Sequence, residues 1–184
     1  YNAPNLNGLD NYFFENFGTP PAFTLGDIFN NNSGSVAILM NINSATPSSP
    51  PLQGYDDPGL LFDTIPYFGI HFADNGVKLL IFDDDGDGIW EEIVVPCSVG
   101  EWHLVPARWN GTIMELRIDH NDWTSAPCQN IGVMTGIVRC GYNYAQTQYL
   151  NAIIAEIMTS NQTWDDARFN NIRNYMNNRY ALSI

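Results

Sequence analysis

Lysine occurs once in this 184-residue chain, at Lys78, and six arginines raise the cations to only seven against twenty carboxylates, a net charge of −13. Phosphate backbones and anionic lipid surfaces require clustered Lys or Arg, so nucleic acid and membrane surfaces are excluded as partners. Such an acidic surface suits divalent cations, high-salt media and neutral ligands such as sugars. Cysteine is scarce too: Cys97, Cys128 and Cys140 are too few for a disulfide scaffold and too scattered for a zinc knuckle. The simplest arrangement is one disulfide and one buried thiol, with Cys128 and Cys140 closing a modest loop; the other pairings and a fully reduced chain stay open. No apolar run approaches the roughly 18 to 20 residues of a membrane-spanning helix, so membrane insertion is not expected. The opening YNAPNLNG has neither a basic nor an apolar leader region, and a first residue of Tyr points to a processed protein or a piece of a longer one.

Aromatic and aliphatic residues are plentiful. Hydrophobic residues make 45% of the chain and Phe, Tyr and Trp 13%, enough to fill two packed sheets in one domain. Residues 1–34, rich in Asn, Gly and Pro with scattered aromatics, read as an extended segment that packs on a sandwich formed by 35–184. The run SVAILMNIN from Ser35 is a core strand, and the Pro-rich stretch 45–59 is a long loop. Short strands are then expected at 60–63, 67–73, 77–82, 89–95, 101–108, 112–119, 131–140 and 150–158. In one of these Met114, Leu116 and Ile118 share a face while Glu115 and Arg117 take the other. Asn75-Gly76 and Asn110-Gly111 supply hairpin turns between such runs. The chain ends in an amphipathic helix over 164–179, with Phe169, Ile172 and Met176 on one stripe and Thr163 with Asp166 as a capping box.

The segment GEWHLVPARWNGTIMELRIDHN resembles the paired strands of concanavalin A-like domains of the laminin-G-like group, with His120 where that pattern has Gly. The ending NAIIAEIMTSNQTWDDARFNNIRNYMNNRYAL is similar to the same group's closing strand, capped helix and final Tyr/Leu motif, with Ala181 in place of Gly. The resemblance covers about residues 24–184 and implies an all-β, concanavalin A-like jelly-roll sandwich of two antiparallel sheets with one short C-terminal α-helix. Lectins, glucanases and adhesins share that fold, so it does not by itself assign a function.

Candidate chemistry is sparse. The stretch Asp83-Asp84-Asp85-Gly86-Asp87-Gly88-Ile89-Trp90-Glu91 places Asp83, Asp85, Asp87 and Glu91 at calcium-loop spacing, and calcium is the expected cation. The alternative is an acidic hairpin loop kept soluble by its charge. Glycosidase chemistry needs paired carboxyls, but Glu91 and Glu92 point to opposite faces of a strand, and Glu115 and Asp119 stand alone. His71, His103 and His120 have no metal spacing, His103 is expected to pack at the sheet, and no nucleophile has an identifiable base. The chain is therefore read as not an enzyme. Sugar binding uses exposed aromatic rings flanked by hydrogen-bonding groups. Trp109, Trp123 with Asn121 and Asp122, and Tyr142 with Tyr144 are the candidates. These features point to a carbohydrate-binding or adhesion module that is extracellular, secreted or on a virion surface, with glycan as partner. The alternative is a structural subunit of a shell, fibre or appendage that contacts copies of itself or neighbouring structural proteins.

Overall fold

A computed structural model describes residues 5–7, 28–29, 32–43, 59–63, 68–73, 76–82, 90–128, 138–139 and 150–184. Its strands form two antiparallel sheets. The larger runs in the order β1 (Asn5–Asn7), β11 (Asn151–Ser160), β2 (Gly34–Ile42), β7 (Trp102–Trp109), β8 (Ile113–Leu116), β9 (Thr124–Pro127). The smaller runs β10 (Val138–Arg139), β3 (Gly59–Asp63), β4 (Phe68–Ala73), β5 (Gly76–Phe82), β6 (Trp90–Pro96). One helix, α1 (Asp166–Tyr180), follows β11.

The main core lies between the sheets. Val36, Ile38 and Met40 of β2 meet Phe68, Ile70 and Phe72 of β4 and Val77, Leu79 and Ile81 of β5, all essentially inaccessible to water. Alternate residues of β2 face the other way, where Ala37 and Leu39, with Leu104 of β7, are covered by Phe169, Ile172 and Met176 of α1. Strand β2 is thus buried on both faces, which is why its sequence is a continuous apolar run rather than an alternation. Fully burying a side chain such as Phe169 contributes about 1.5–3 kcal/mol, so three such residues are ample to hold a helix whose intrinsic stability is marginal.

The strand pattern follows the sequence closely, with local differences. Gly111 adopts a positive φ of 78° in the β7–β8 turn, where Asn110 Oδ1 accepts the backbone N–H groups of Thr112 and Ile113, each at 3.0 Å. Strand β8 is shorter than the alternation predicts, although Arg117 and Asp119 still donate their N–H groups to the Pro106 and Leu104 carbonyls of β7 before Asp119 turns the chain at φ 56°. The helix cap is Asp165, whose carboxylate accepts Arg168 N–H at 2.8 Å. The expected Thr163/Asp166 capping box does not form. Thr163 instead donates to the Trp109 carbonyl at 2.6 Å, and Asp166 is drawn to side chains of the sheet. Strands β1 and β9 have no counterpart in the sequence pattern. Within the amino-terminal segment, Asn5–Asn7 pairs with β11, and Phe29 is buried with its ring centroid 5.5 Å from Phe68 and 4.8 Å from Trp109. Of the strand expected at 131–140, only Val138–Arg139 falls among the described residues.

Candidate functional site

The chain leaving β8 places Asn121 and Asp122 in solvent and Trp123 half-buried immediately before β9. Trp123 is not a free platform. The Cζ atoms of Arg108 and Arg117 lie 4.2 and 4.3 Å from its ring centroid, its ring meets Phe169 at 5.3 Å, and its Nε1 donates to Asp166 Oδ1 at 3.0 Å. Cations this close to an indole occupy the face that a pyranose would need. Trp109 departs further from expectation: it is 1% exposed and packed against Phe29 and Phe68. The reading of Trp109 and Trp123 as sugar-stacking rings is therefore corrected, since one is core and the other fastens α1 to the sheet. Asn121 and Asp122 keep the exposure a binding role requires, while Tyr142 and Tyr144 lie outside the described residues.

Arg108 organises that fastening. It sits directly across from Glu115 in the β7–β8 pairing, donates through Nε to Glu115 Oε2, and reaches α1 through Nη1, which donates to Asp166 Oδ1 at 2.9 Å and to the Trp164 carbonyl at 3.1 Å. Burial would raise the Asp166 carboxyl, but the hydrogen bond from Trp123 and the Arg108 guanidinium hold it below the usual carboxylate range.

Of the expected calcium ligands, Asp83, Asp85 and Asp87 lie outside the described residues. The strands they join do pair, with Phe82 opposite Trp90. Glu91 is half-buried in β6 on the same face as Ile93 and Val95, while Glu92 takes the opposite face and meets Lys78 Nζ at 3.5 Å. Among the described residues no group of three His, Cys, Asp or Glu is placed to hold a metal. Cys97 and Cys128 are both buried; Cys140, the other half of the favoured pairing, is outside the described residues.

One constellation has no signature in the sequence. Ser98 Oγ lies 2.8 Å from His103 Nε2, His103 Nδ1 lies 2.8 Å from Asp119 Oδ2, and Asp119 Oδ1 accepts the Leu104 N–H at 2.8 Å. The spacing is that of a nucleophilic triad, but the protons run the wrong way. The hydrogen bond to Asp119, with the Cys97 sulfur second, raises the His103 pKa to about 10, so at neutral pH it is an imidazolium donating from both nitrogens. Ser98 in turn donates to Glu101 Oε2 at 3.0 Å. A base already protonated cannot take the hydroxyl proton. The array works as a clamp: Asp119 also donates its own N–H to the Leu104 carbonyl at 2.8 Å, pinning the turn after β8 to β7. Ser98, His103 and Asp119 are separated in sequence and share no spacing motif, so only the β7–β8 pairing reveals them.

The fold defined by these elements is a β-sandwich of two antiparallel sheets with a carboxy-terminal helix laid on the outer face of the larger one. No family model and no curated protein matches the sequence. Several solved structures share the fold. The binding domain of botulinum neurotoxin DC in complex with SialylT superposes with a TM-score of 0.57 at 13% identity, over 79% of this chain and 36% of that one. The same domain in complex with rat synaptotagmin II gives 0.58 at 14% identity, over 79% and 36%. A structure of botulinum neurotoxin type C, whose cell entry is dependent upon interaction with two ganglioside molecules, gives 0.57 at 11% identity, over 79% and 36%. The likeness is one of fold, and the chain spans 36% of the length of these neighbours.

Proposed function

We propose that this domain is a non-catalytic carbohydrate-binding module acting at an extracellular or virion surface. The observation that carries the reading is its architecture, shared with a toxin binding domain in complex with SialylT and with a structure of a toxin whose cell entry is dependent upon interaction with two ganglioside molecules. The proton arrangement at Ser98, His103 and Asp119 supports the non-catalytic part. The exposed pair Asn121 and Asp122 supplies hydrogen-bonding groups on the loop that joins β8 to β9, groups of the kind that bind sugar hydroxyls. Tyr142 and Tyr144, outside the described residues, are the aromatic candidates for stacking on a sugar ring, and a calcium ion at Asp83, Asp85, Asp87 and Glu91 would rigidify the β5–β6 hairpin.

A glycan array tests this. Specific hits that vanish in an Asn121→Ala/Asp122→Ala double variant, or in Tyr142→Ala or Tyr144→Ala, with unchanged melting temperatures, support the module. Trp123→Ala is a poor probe, because it unfastens α1 and lowers stability as well as any binding. An array without hits, together with mass that rises with concentration in light scattering, would replace the reading with that of an assembling structural subunit.

A further inference from the structure

Six arginines serve the whole chain; Arg108 and Arg117 both lie over the Trp123 ring where α1 meets β7 and β8, and the charge of Arg173, on α1, is felt at Arg117. Two carboxylates stand among them, Glu115 and Asp166, and both are engaged by Arg108; Asp166 also accepts from Trp123, and Glu115 from Ser125 Oγ at 3.4 Å. The local charge is therefore one positive in excess. The excess rests on Arg117 and Arg173.

Arg117 is only 8% exposed, yet among the described residues it has no ion pair, and its Nε is buried without a hydrogen-bond partner. Among the described residues its guanidinium contacts aromatic rings, 4.3 Å from the Trp123 centroid and 5.9 Å from that of Phe169. Arg173, half-buried and one turn beyond Phe169 on α1, has no ion pair among the described residues either. Burial lowers the Arg117 pKa, and the charges of Arg108 and Arg173 lower it further against the pull of Asp166. A buried cation without a partner is among the costliest groups a fold can carry, and like-charged neighbours add to that cost. Guanidinium groups match planar or tetrahedral oxyanions through paired N–H donors.

We propose that Arg117 and Arg173 form the site for an oxyanion carried by a ligand. Together with the carbohydrate-binding reading, on which this part of the inference rests, the ligand class is an acidic sugar bearing a carboxylate or sulfate.

The test follows Trp fluorescence and thermal melting at constant ionic strength, with 3′-sialyllactose, neutral lactose and inorganic sulfate as probes. Variants are Arg173→Gln, which leaves the core untouched, and Arg117→Met, which keeps an unbranched side chain against the rings. The expected result is saturable binding of sialyllactose and sulfate by the native chain, at least tenfold weaker in both variants, with lactose inert. If sulfate saturates and is lost in Arg173→Gln but no glycan binds, the oxyanion site stands and the carbohydrate reading falls. Neutral glycans binding equally well to native chain and variants would keep the carbohydrate reading and overturn the oxyanion site. Saturation by neither sialyllactose nor sulfate overturns it as well.

Discussion

Gly34 on β2 lies directly across from Trp109 on β7, and the indole covers it so closely that a Cβ at position 34 would overlap the ring. The glycine is there to admit the tryptophan, which in turn meets Phe29 and Phe68 at the end of the core. Gly34→Ala should therefore push the indole off its rotamer and destabilise the fold by about 1–3 kcal/mol, as overpacked cores do. Urea denaturation with an unchanged slope and a lower midpoint checks it; an unaltered midpoint would mean that the ring moves aside freely.

The His103 clamp predicts an alkaline limit to stability. Its pKa rises from 6.5 to about 10 on folding, so its contribution is fully present below about pH 6.5 and is lost as pH climbs through about 10. Melting temperature should fall across that window in the native chain and fall less in His103→Gln, which keeps a donor but no titrating ring. Parallel slopes for the two proteins would remove His103 from the account. The same clamp predicts that Ser98 stays unlabelled by fluorophosphonates between pH 6 and 8.

Ala181 ends α1 with φ 53°, its N–H donating to the Asn177 carbonyl. A residue with a Cβ in that conformation costs roughly 1 kcal/mol relative to glycine. Ala181→Gly should raise stability by about 0.5–1 kcal/mol without altering any contact of Phe169 or Met176, measured as a higher midpoint in the same urea titration.

Calcium should bind the Asp83–Glu91 hairpin and raise the melting temperature, with a stabilisation of about 2.7 kcal/mol at a hundredfold excess over Kd. An Asp83→Asn/Asp85→Asn variant should lose the shift. No calorimetric heat with Ca²⁺, and melting unaltered by chelator, would eliminate this site.

Much of the architecture was legible in the sequence because local physics set it. The alternation Met114, Leu116, Ile118, the Asn110-Gly111 turn and the stripe Phe169, Ile172, Met176 each appear where the pattern puts them. The short strands β1 and β9 escaped, since Asn5–Asn7 and Thr124–Pro127 have no apolar alternation and exist only through pairing with a neighbour. The binding candidates were less legible for a related reason. Arg117 shares the polar side of its strand with Glu115, and the sequence places that side in solvent; α1 returns from fifty residues away to bury it. Trp109 and Trp123 looked alike beside polar neighbours, and only the tertiary packing separates a core ring from a fastening one. His103 and Asp119 stand sixteen positions apart and meet only after β7 and β8 are paired.

Sugar binding without sugar turnover is checked by calorimetric titration of the strongest glycan-array hit into the native chain and the Asn121→Ala/Asp122→Ala variant. The native chain should give saturable heat, the variant an affinity at least tenfold weaker, and the glycan should be recovered chemically intact. Equal affinity in the two proteins, or cleavage of the recovered glycan, would contradict it.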